Sequence, residues 1–87
     1  MNIRISPRAE KELKKLPKLD QLAVVQKIRT FTEPILQVEE RLSGHPHIFR
    51  VRVGNYLIVY RKIKQKIYII LIRHRKDVYN KINTHKL

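Results

Sequence analysis

The octapeptide RHRKDVYN, from Arg73 to Asn80, sets Arg73, His74, Arg75 and Lys76 in an unbroken row ahead of Tyr79. These residue types suit work on a polyanion. An arginine fork holds two phosphate oxygens at once. Cations beside a phenol favour its ionised form and so lower a pKa that is otherwise about 10. A second basic element lies upstream, where FRVRV places Arg50 and Arg52 two positions apart. In a β-strand that spacing puts both side chains on one face.

The charge distribution asks what such clusters are for. The 87-residue chain carries a formal net charge of +13. Residues 1–40 hold eight Lys/Arg and six Asp/Glu, whereas residues 41–87 hold twelve Lys/Arg and one acid, Asp77. A nearly pure basic half repels itself on folding, and an anionic partner relieves that repulsion. Nucleic acid is the first expectation, ahead of an acidic protein and an anionic membrane surface.

Several chemistries are excluded by composition. With no cysteine there is no disulfide, no thiolate metal site and no cysteine nucleophile. Ser6 and Ser43 fall in cap and loop contexts, so no serine triad assembles. His45 and His47 lack a third ligand at metal-site spacing, and no metal or other cofactor is expected. Only Gly44 and Gly54 occur, too few for a nucleotide-binding glycine loop. The longest apolar run, Ile67 to Ile72, is too short to span a bilayer. MNIRISPRAEK has no apolar signal-peptide core. The expectation is a soluble cytoplasmic protein with no membrane role.

One small domain over residues 1–87 must position these residues. Ile3 and Ile5 alternate with polar neighbours as in a short strand. Ser6-Pro7 reads as an N-cap followed by proline at the first helical position. Ala9, Leu13 and Leu16 mark a helix over residues 7–16, ended by Pro17. A second helix is expected from Leu19 to about Pro34, with Leu22, Val25, Ile28 and Phe31 as its apolar stripe, widened by Val24 and Ile35. Gln37 to Pro46 reads as loop. His47 to Val53 alternates, with Phe49, Val51 and Val53 opposite Arg50 and Arg52. Gly54-Asn55 is a turn, and Lys62 to Gln65 is another. Tyr56 to Arg61 and Lys66 to Arg73 are apolar on both faces, as inner strands are. Residues 76–82 form a short helix or a tail. The fold class is α+β in the order β-α-α-β-β-β, a helical hairpin covering one face of a small, mainly antiparallel sheet. Arg50, Arg52 and the Arg73–Arg75 cluster are expected to border the other, open face. The lysines of the first helix and its exit, Lys11, Lys14, Lys15 and Lys18, read as a solvated face or as contacts to RNA phosphates.

FRVRVGNYLIVYR, with its Gly-x-Tyr turn, and the closing RHRKDVY together resemble the RelE/ParE toxin superfamily, its RelE branch in particular. The resemblance covers nearly the whole chain and rests on the order and spacing of short motifs. It implies the toxin of a type II toxin–antitoxin system, a ribosome-dependent endoribonuclease that cuts messenger RNA in the A site. It implies a RelB-like antitoxin as partner, in a heterotetramer or another hetero-oligomer, besides the ribosome and mRNA. By the same resemblance Arg50, Arg52, Arg73 and Tyr79 are the catalytic set. His74, Arg75, Arg61 and Lys76 are the further RNA-binding residues. The chain departs from the pattern at Leu57, where the family often has an arginine after the turn tyrosine. Arg61 or Arg75 then substitutes, or cleavage is weaker. A ParE-like gyrase inhibitor without catalysis and an inert RNA-binding domain are the alternative readings.

The implied reaction needs no metal, because the RNA 2′-hydroxyl is an internal nucleophile. Arginines neutralise the phosphorane, which is usually the largest single contribution. Tyr79, its pKa lowered by the cations around it, is the expected general base. The alternative role for Tyr79 is packing on the sheet.

Overall fold

The computed structural model describes residues 2–32 and 40–76. The chain opens with strand β1 (Asn2–Ile5), then helices α1 (Pro7–Lys14) and α2 (Lys18–Thr30). Strands β2 (Glu40–Arg41), β3 (Ile48–Val53), β4 (Tyr56–Ile63) and β5 (Lys66–His74) follow. They form one five-stranded sheet in the order β1-β5-β4-β3-β2. β1 runs parallel to β5, and the other pairs are antiparallel. This is the expected α+β fold with one addition. The segment read as loop from Gln37 to Pro46 contains β2, whose two residues pair with Arg50 and Phe49 at the sheet edge. Two residues are too few for a period-2 pattern, so only the pairing reveals the strand.

Each helix starts and stops for local reasons. The Ser6 hydroxyl accepts the Ala9 N–H at 2.9 Å as N-cap, and Pro7 occupies the first turn. Glu10 in the first turn and Lys11 and Lys14 in the last complement the helix dipole. α1 stops at Lys14, two residues short of the expectation, and the Gln21 amide donates to the carbonyls of Lys14 and Leu16, both at 3.1 Å. Those two bonds satisfy acceptors that a helix end leaves open and close the hairpin. α2 ends at Thr30, earlier than expected. Its buried stripe includes the expected Ile28 and Phe31 but is centred on Val24 rather than Leu22. Val24 is fully buried, Phe31 nearly so and Ile28 partly, while Leu22 is 51% exposed. The spacing 24, 28, 31 follows the 3.6 period, whereas uniform steps of three drift around the helix.

The core lies between the helix pair and one sheet face. Ala9, Val24 and Phe31 meet Val51, Ile58, Tyr60, Ile67, Ile69 and Ile72 there. Tyr60 is its largest side chain, with ring centroids 4.6 Å from Phe31 and 6.0 Å from Phe49. The two hairpin turns use left-handed backbone, at Gly54 (φ +57°) and at Lys64 (φ +55°). Glycine makes the first conformation at no steric cost.

A bulge in β5 decides which residues face which way. Tyr60 pairs with Ile69, but Val59 pairs with Leu71, so Ile70 is an extra residue. Before it, odd positions Ile67 and Ile69 are buried; after it, the even position Ile72 is buried. The Ser6 hydroxyl donates to the Ile70 carbonyl at 2.7 Å, and the Ser6 N–H donates to the Ile69 carbonyl at 2.9 Å. One buried serine therefore caps α1 and fastens it to the bulge. Ser6→Ala should cost about 1–3 kcal/mol, from the lost cap and the bulge carbonyl left without this donor. Thermal unfolding checks this, since each kcal/mol lowers the midpoint of so small a domain by about 4–8 °C. An unchanged midpoint would show that the serine fastens nothing.

Candidate nucleic-acid interface on the open sheet face

The strand registers arrange the sheet face away from the helices in rows. Arg52, Leu57 and Arg73 form one row across β3, β4 and β5. Arg50, Val59 and Leu71 form the next. Ile48, Arg61, Tyr68 and Arg4 form a third, reaching β1. Adjacent strands lie about 4.8 Å apart, so Arg52 and Arg73 flank Leu57 across about 10 Å. Leu57 and Val59 are only 4% and 9% exposed although they do not face the helices. The face thus has a buried apolar centre with arginines on both sides.

Arg50 is half-buried and Arg52 exposed, as the alternation in FRVRV requires. Arg52 Nε also donates to the Gly54 carbonyl at 3.4 Å, which bends its guanidinium over the hairpin. Arg73 reaches the same face only because of the Ile70 bulge, since unbroken alternation from Ile69 would point it at the helices. Its guanidinium is held at the sheet edge. Nε donates to Glu12 Oε2 at 2.6 Å, and the other Glu12 oxygen accepts the Ile72 N–H at 2.9 Å. β1 ends before this part of β5, so the α1 carboxylate satisfies a strand edge that β1 leaves open. Glu12 bonds Arg73 through Nε, and the Arg73 side chain keeps 23% of its surface exposed.

Burial raises the pKa of Glu12, but the Arg73 and Ile72 hydrogen bonds and the charges of Arg73 and Arg8 outweigh it. The carboxyl is held below its usual range. Sequence reasoning missed Glu12 as a site residue. Its only sequence signal was the Arg8 spacing, an i,i+4 pair at 3.5 Å.

The remaining expected residues separate. His74 is paired with Tyr56 on the helix side, their rings edge-on at 5.4 Å, so it is not part of the open face. The expectation that Arg73–Arg75 border one surface is corrected at this residue: adjacent strand residues point to opposite faces. His74 Nδ1 accepts the Lys76 N–H at 3.2 Å, which puts the proton of the neutral ring on Nε2. Arg75 is half-buried and its N–H donates to the Asn55 carbonyl at 2.7 Å; Lys76 is exposed. Arg61 is exposed on the open face, but four residues along β4 from Leu57, about 13 Å away. It does not fill the Leu57 position; Arg52 and Arg73 supply that row's charge. Tyr79 lies outside the described residues, as does the expected helix or tail over residues 76–82 beyond Lys76.

On the helix side, the Tyr56 hydroxyl donates to Asp20 Oδ2 at 3.2 Å. Burial, that hydrogen bond and the Asp20 charge push the phenol above its usual value. Tyr56 therefore remains protonated at neutral pH and is unsuited to act as a base. Among the described residues no group of three His, Cys, Asp or Glu could hold a metal ion. Among them, too, no helix is long and apolar enough to cross a membrane.

Residues 3–79 match the family model described as the ParE toxin of the type II toxin–antitoxin system parDE. The chain belongs to the RelE/ParE toxin superfamily. It is thus a toxin of type II toxin–antitoxin class. None of the curated proteins searched matches it. Among solved structures, the RelE/ParE fold recurs in a RelB–RelE antitoxin–toxin complex from Methanococcus jannaschii. That match has 23% identity, covers 88% of this chain and 95% of that one, and has a TM-score of 0.75. The toxin–antitoxin complex RelBE2 from Mycobacterium tuberculosis matches at 29% identity, 85% and 96% coverage and a TM-score of 0.71. The isolated RelE toxin of E. coli matches at 22% identity, 99% and 98% coverage and a TM-score of 0.70.

The RelE/ParE toxin's Glu12–Arg73 contact has a pH signature. The unfolded chain protonates Glu12 at an ordinary carboxylate pKa, and the folded chain only at a lower one. The contact's contribution is complete above the ordinary range and is lost as acidification passes through the depressed folded value. Glu12→Gln keeps an acceptor for Ile72 but loses the charge facing Arg73. It should cost about 1–3 kcal/mol near neutrality and flatten the acid limb of stability against pH. Denaturant titrations at several pH values test this; an acid limb as steep as the parent's would remove Glu12 from the account.

Proposed function

We propose that this toxin is a metal-independent, ribosome-dependent endoribonuclease that cleaves messenger RNA in the A site and so stops translation. The observation that carries the reading is the open face itself. Arg50, Arg52 and Arg73 surround the buried Leu57 and Val59, where long guanidinium arms can close over a phosphodiester. In the proposed reaction the 2′-oxygen attacks phosphorus and its proton passes to Tyr79. The P–O5′ bond breaks, leaving a 2′,3′-cyclic phosphate, and the 5′-oxygen takes up a proton as it leaves. Arg50, Arg52 and Arg73 neutralise the charge that grows on the equatorial oxygens. Arg75 and Lys76 extend the positive field at the end of β5. A desolvated site makes each such charge count for more than it would in water.

A RelB-like antitoxin is the proposed partner, in a heterotetramer or another hetero-oligomer, in the cytoplasm. The similar folds include chains solved as RelB–RelE complexes, and the basic second half of this chain favours an acidic segment laid across it. A second reading is a ParE-like inhibitor of gyrase without catalysis. It is favoured by the ParE description of the matching family model and by Leu57 in place of an arginine.

Pulse labelling after induced expression separates the two. The nuclease reading requires protein synthesis to fall before DNA synthesis, and the reverse order points to gyrase. On programmed ribosomes, Arg50→Ala, Arg52→Ala and Arg73→Ala should each lower the cleavage rate about a hundredfold, the loss of about 3 kcal/mol of transition-state stabilisation. Tyr79→Phe should lower it about 100- to 10,000-fold with the fold intact by circular dichroism. Parent-rate cleavage by folded Tyr79→Phe would remove the base assignment.

A further inference from the structure

The open face has a second cationic end that the proposed reaction does not use. Beyond the Val59 row, Arg61, Tyr68 and Arg4 lie side by side across β4, β5 and β1. Ile63, Lys66 and Asn2 form the next row. These six residues, with Ile67 beneath, line a cavity of about 490 Å³. That volume lies within the range of small-ligand sites. Three of the lining residues are cations, and among the described residues none of the three is in an ion pair. The Arg61 guanidinium carbon lies 5.5 Å from the Tyr68 ring centroid. Ile63 is 41% exposed at the rim, an apolar surface beside the charges.

We propose that this cavity holds one nucleotide of single-stranded RNA, from the same strand whose phosphate lies between Arg52 and Arg73. The proposal rests on the endoribonuclease reading for the identity of the polyanion and adds a second contact to it. Three features favour a nucleotide over an acidic peptide. Unstacked bases settle on aromatic rings and on arginine planes, and Arg61 over Tyr68 presents both. Arg4, beside Tyr68, and Lys66, in the next row, line the same cavity and can meet phosphate oxygens. Carboxylates alone would need neither the ring nor the apolar rim. The two ends of the face are about 13 Å apart along β4, too far for one nucleotide and within reach of a short oligonucleotide. Between the two ends lies the row of Arg50, Val59 and Leu71, in which Arg50 is the one cation.

The test measures binding rather than cleavage. A fluorescent 2′-O-methyl RNA of about ten nucleotides has no 2′-hydroxyl nucleophile and lies within the length that a small domain engages. Its affinity for the whole chain is followed by anisotropy across a salt series. Arg4→Gln and Lys66→Gln should each reduce the slope of log affinity against log salt by about 0.7, the value for one phosphate contact on a single strand, and Arg61→Gln should weaken binding by loss of the stacked guanidinium. Tyr68→Leu should weaken binding about 5- to 150-fold, the worth of one base stack, and Tyr68→Phe should restore it. Arg4 and Arg61 are exposed, so their variants keep the test open if Tyr68→Leu does not fold. Parent slope and affinity in Arg61→Gln, with binding lost in the Arg50→Ala/Arg52→Ala variant, would overturn the cavity proposal and leave the nuclease reading standing. An RNA unbound by the parent chain at low salt would overturn the cavity proposal and leave the ribosome-dependent reading to the cleavage assay on programmed ribosomes. Unchanged RNA binding, coupled to weakened capture of an acidic antitoxin by Arg61→Gln, would make the cavity a protein site and overturn the proposal.

Discussion

The arrangement of the open face depends on how Ser6 holds the bulge at Ile70. A strand presents side chains to alternate faces, and one inserted residue reverses the phase of everything after it. The bulge lets Ile67, Ile69 and Ile72 all enter the core and turns Arg73 outward beside Leu57. The inserted carbonyl must have a donor, and the Ser6 hydroxyl supplies it while its lone pair caps α1. The same side chain that starts the helix thus sets the phase of the strand that carries the closing basic motif. Packing and the candidate site are coupled through a single buried hydroxyl.

Charge is the second constraint. A face that gathers Arg4, Arg50, Arg52, Arg61, Lys66 and Arg73 opposes its own folding. One answer is local. Glu12 lies at the edge, where it satisfies a backbone N–H and anchors Arg73 through Nε. A free arginine side chain carries considerable rotamer entropy, and an anchored one loses less when a ligand binds. Glu12 thus holds a cation of the open face in position from the helix side.

Superfamily membership and the geometry bear on different questions. Membership establishes a type II toxin and the fold that carries it. The chemistry is a matter of the particular residues on that fold. At Leu57 the chain substitutes buried apolar surface for a cation, and the charge of that row comes from its two register partners. A phosphate there would meet cations from the sides and a desolvated floor beneath, which strengthens each charge–charge contact.

Much of the fold was legible in the sequence for a local reason. Ser6-Pro7, Pro17 and Gly54-Asn55 act through their own backbone preferences, so the helix starts and the hairpin could be read directly. The alternation in FRVRV assigned Arg50 and Arg52 to one face, because strand geometry has a period of two wherever the ladder is regular. The sequence by itself also determined the excess of positive charge, and the order and spacing of its short motifs carried the family resemblance. Tertiary structure decided what depends on partners distant in the chain. The buried stripe of α2 runs through Val24 rather than Leu22 because the sheet chooses which side of the helix is covered. β2 exists only as a pairing with β3. The bulge at Ile70 put Arg73 on the open face and left His74 beside Tyr56, which no regular pattern could foretell. Glu12 and Arg73 stand 61 positions apart, and the Arg4–Arg61–Tyr68 row joins three strands. Such contacts arise only when the parallel β1–β5 pairing and the antiparallel hairpins close the sheet, and no local preference encodes them.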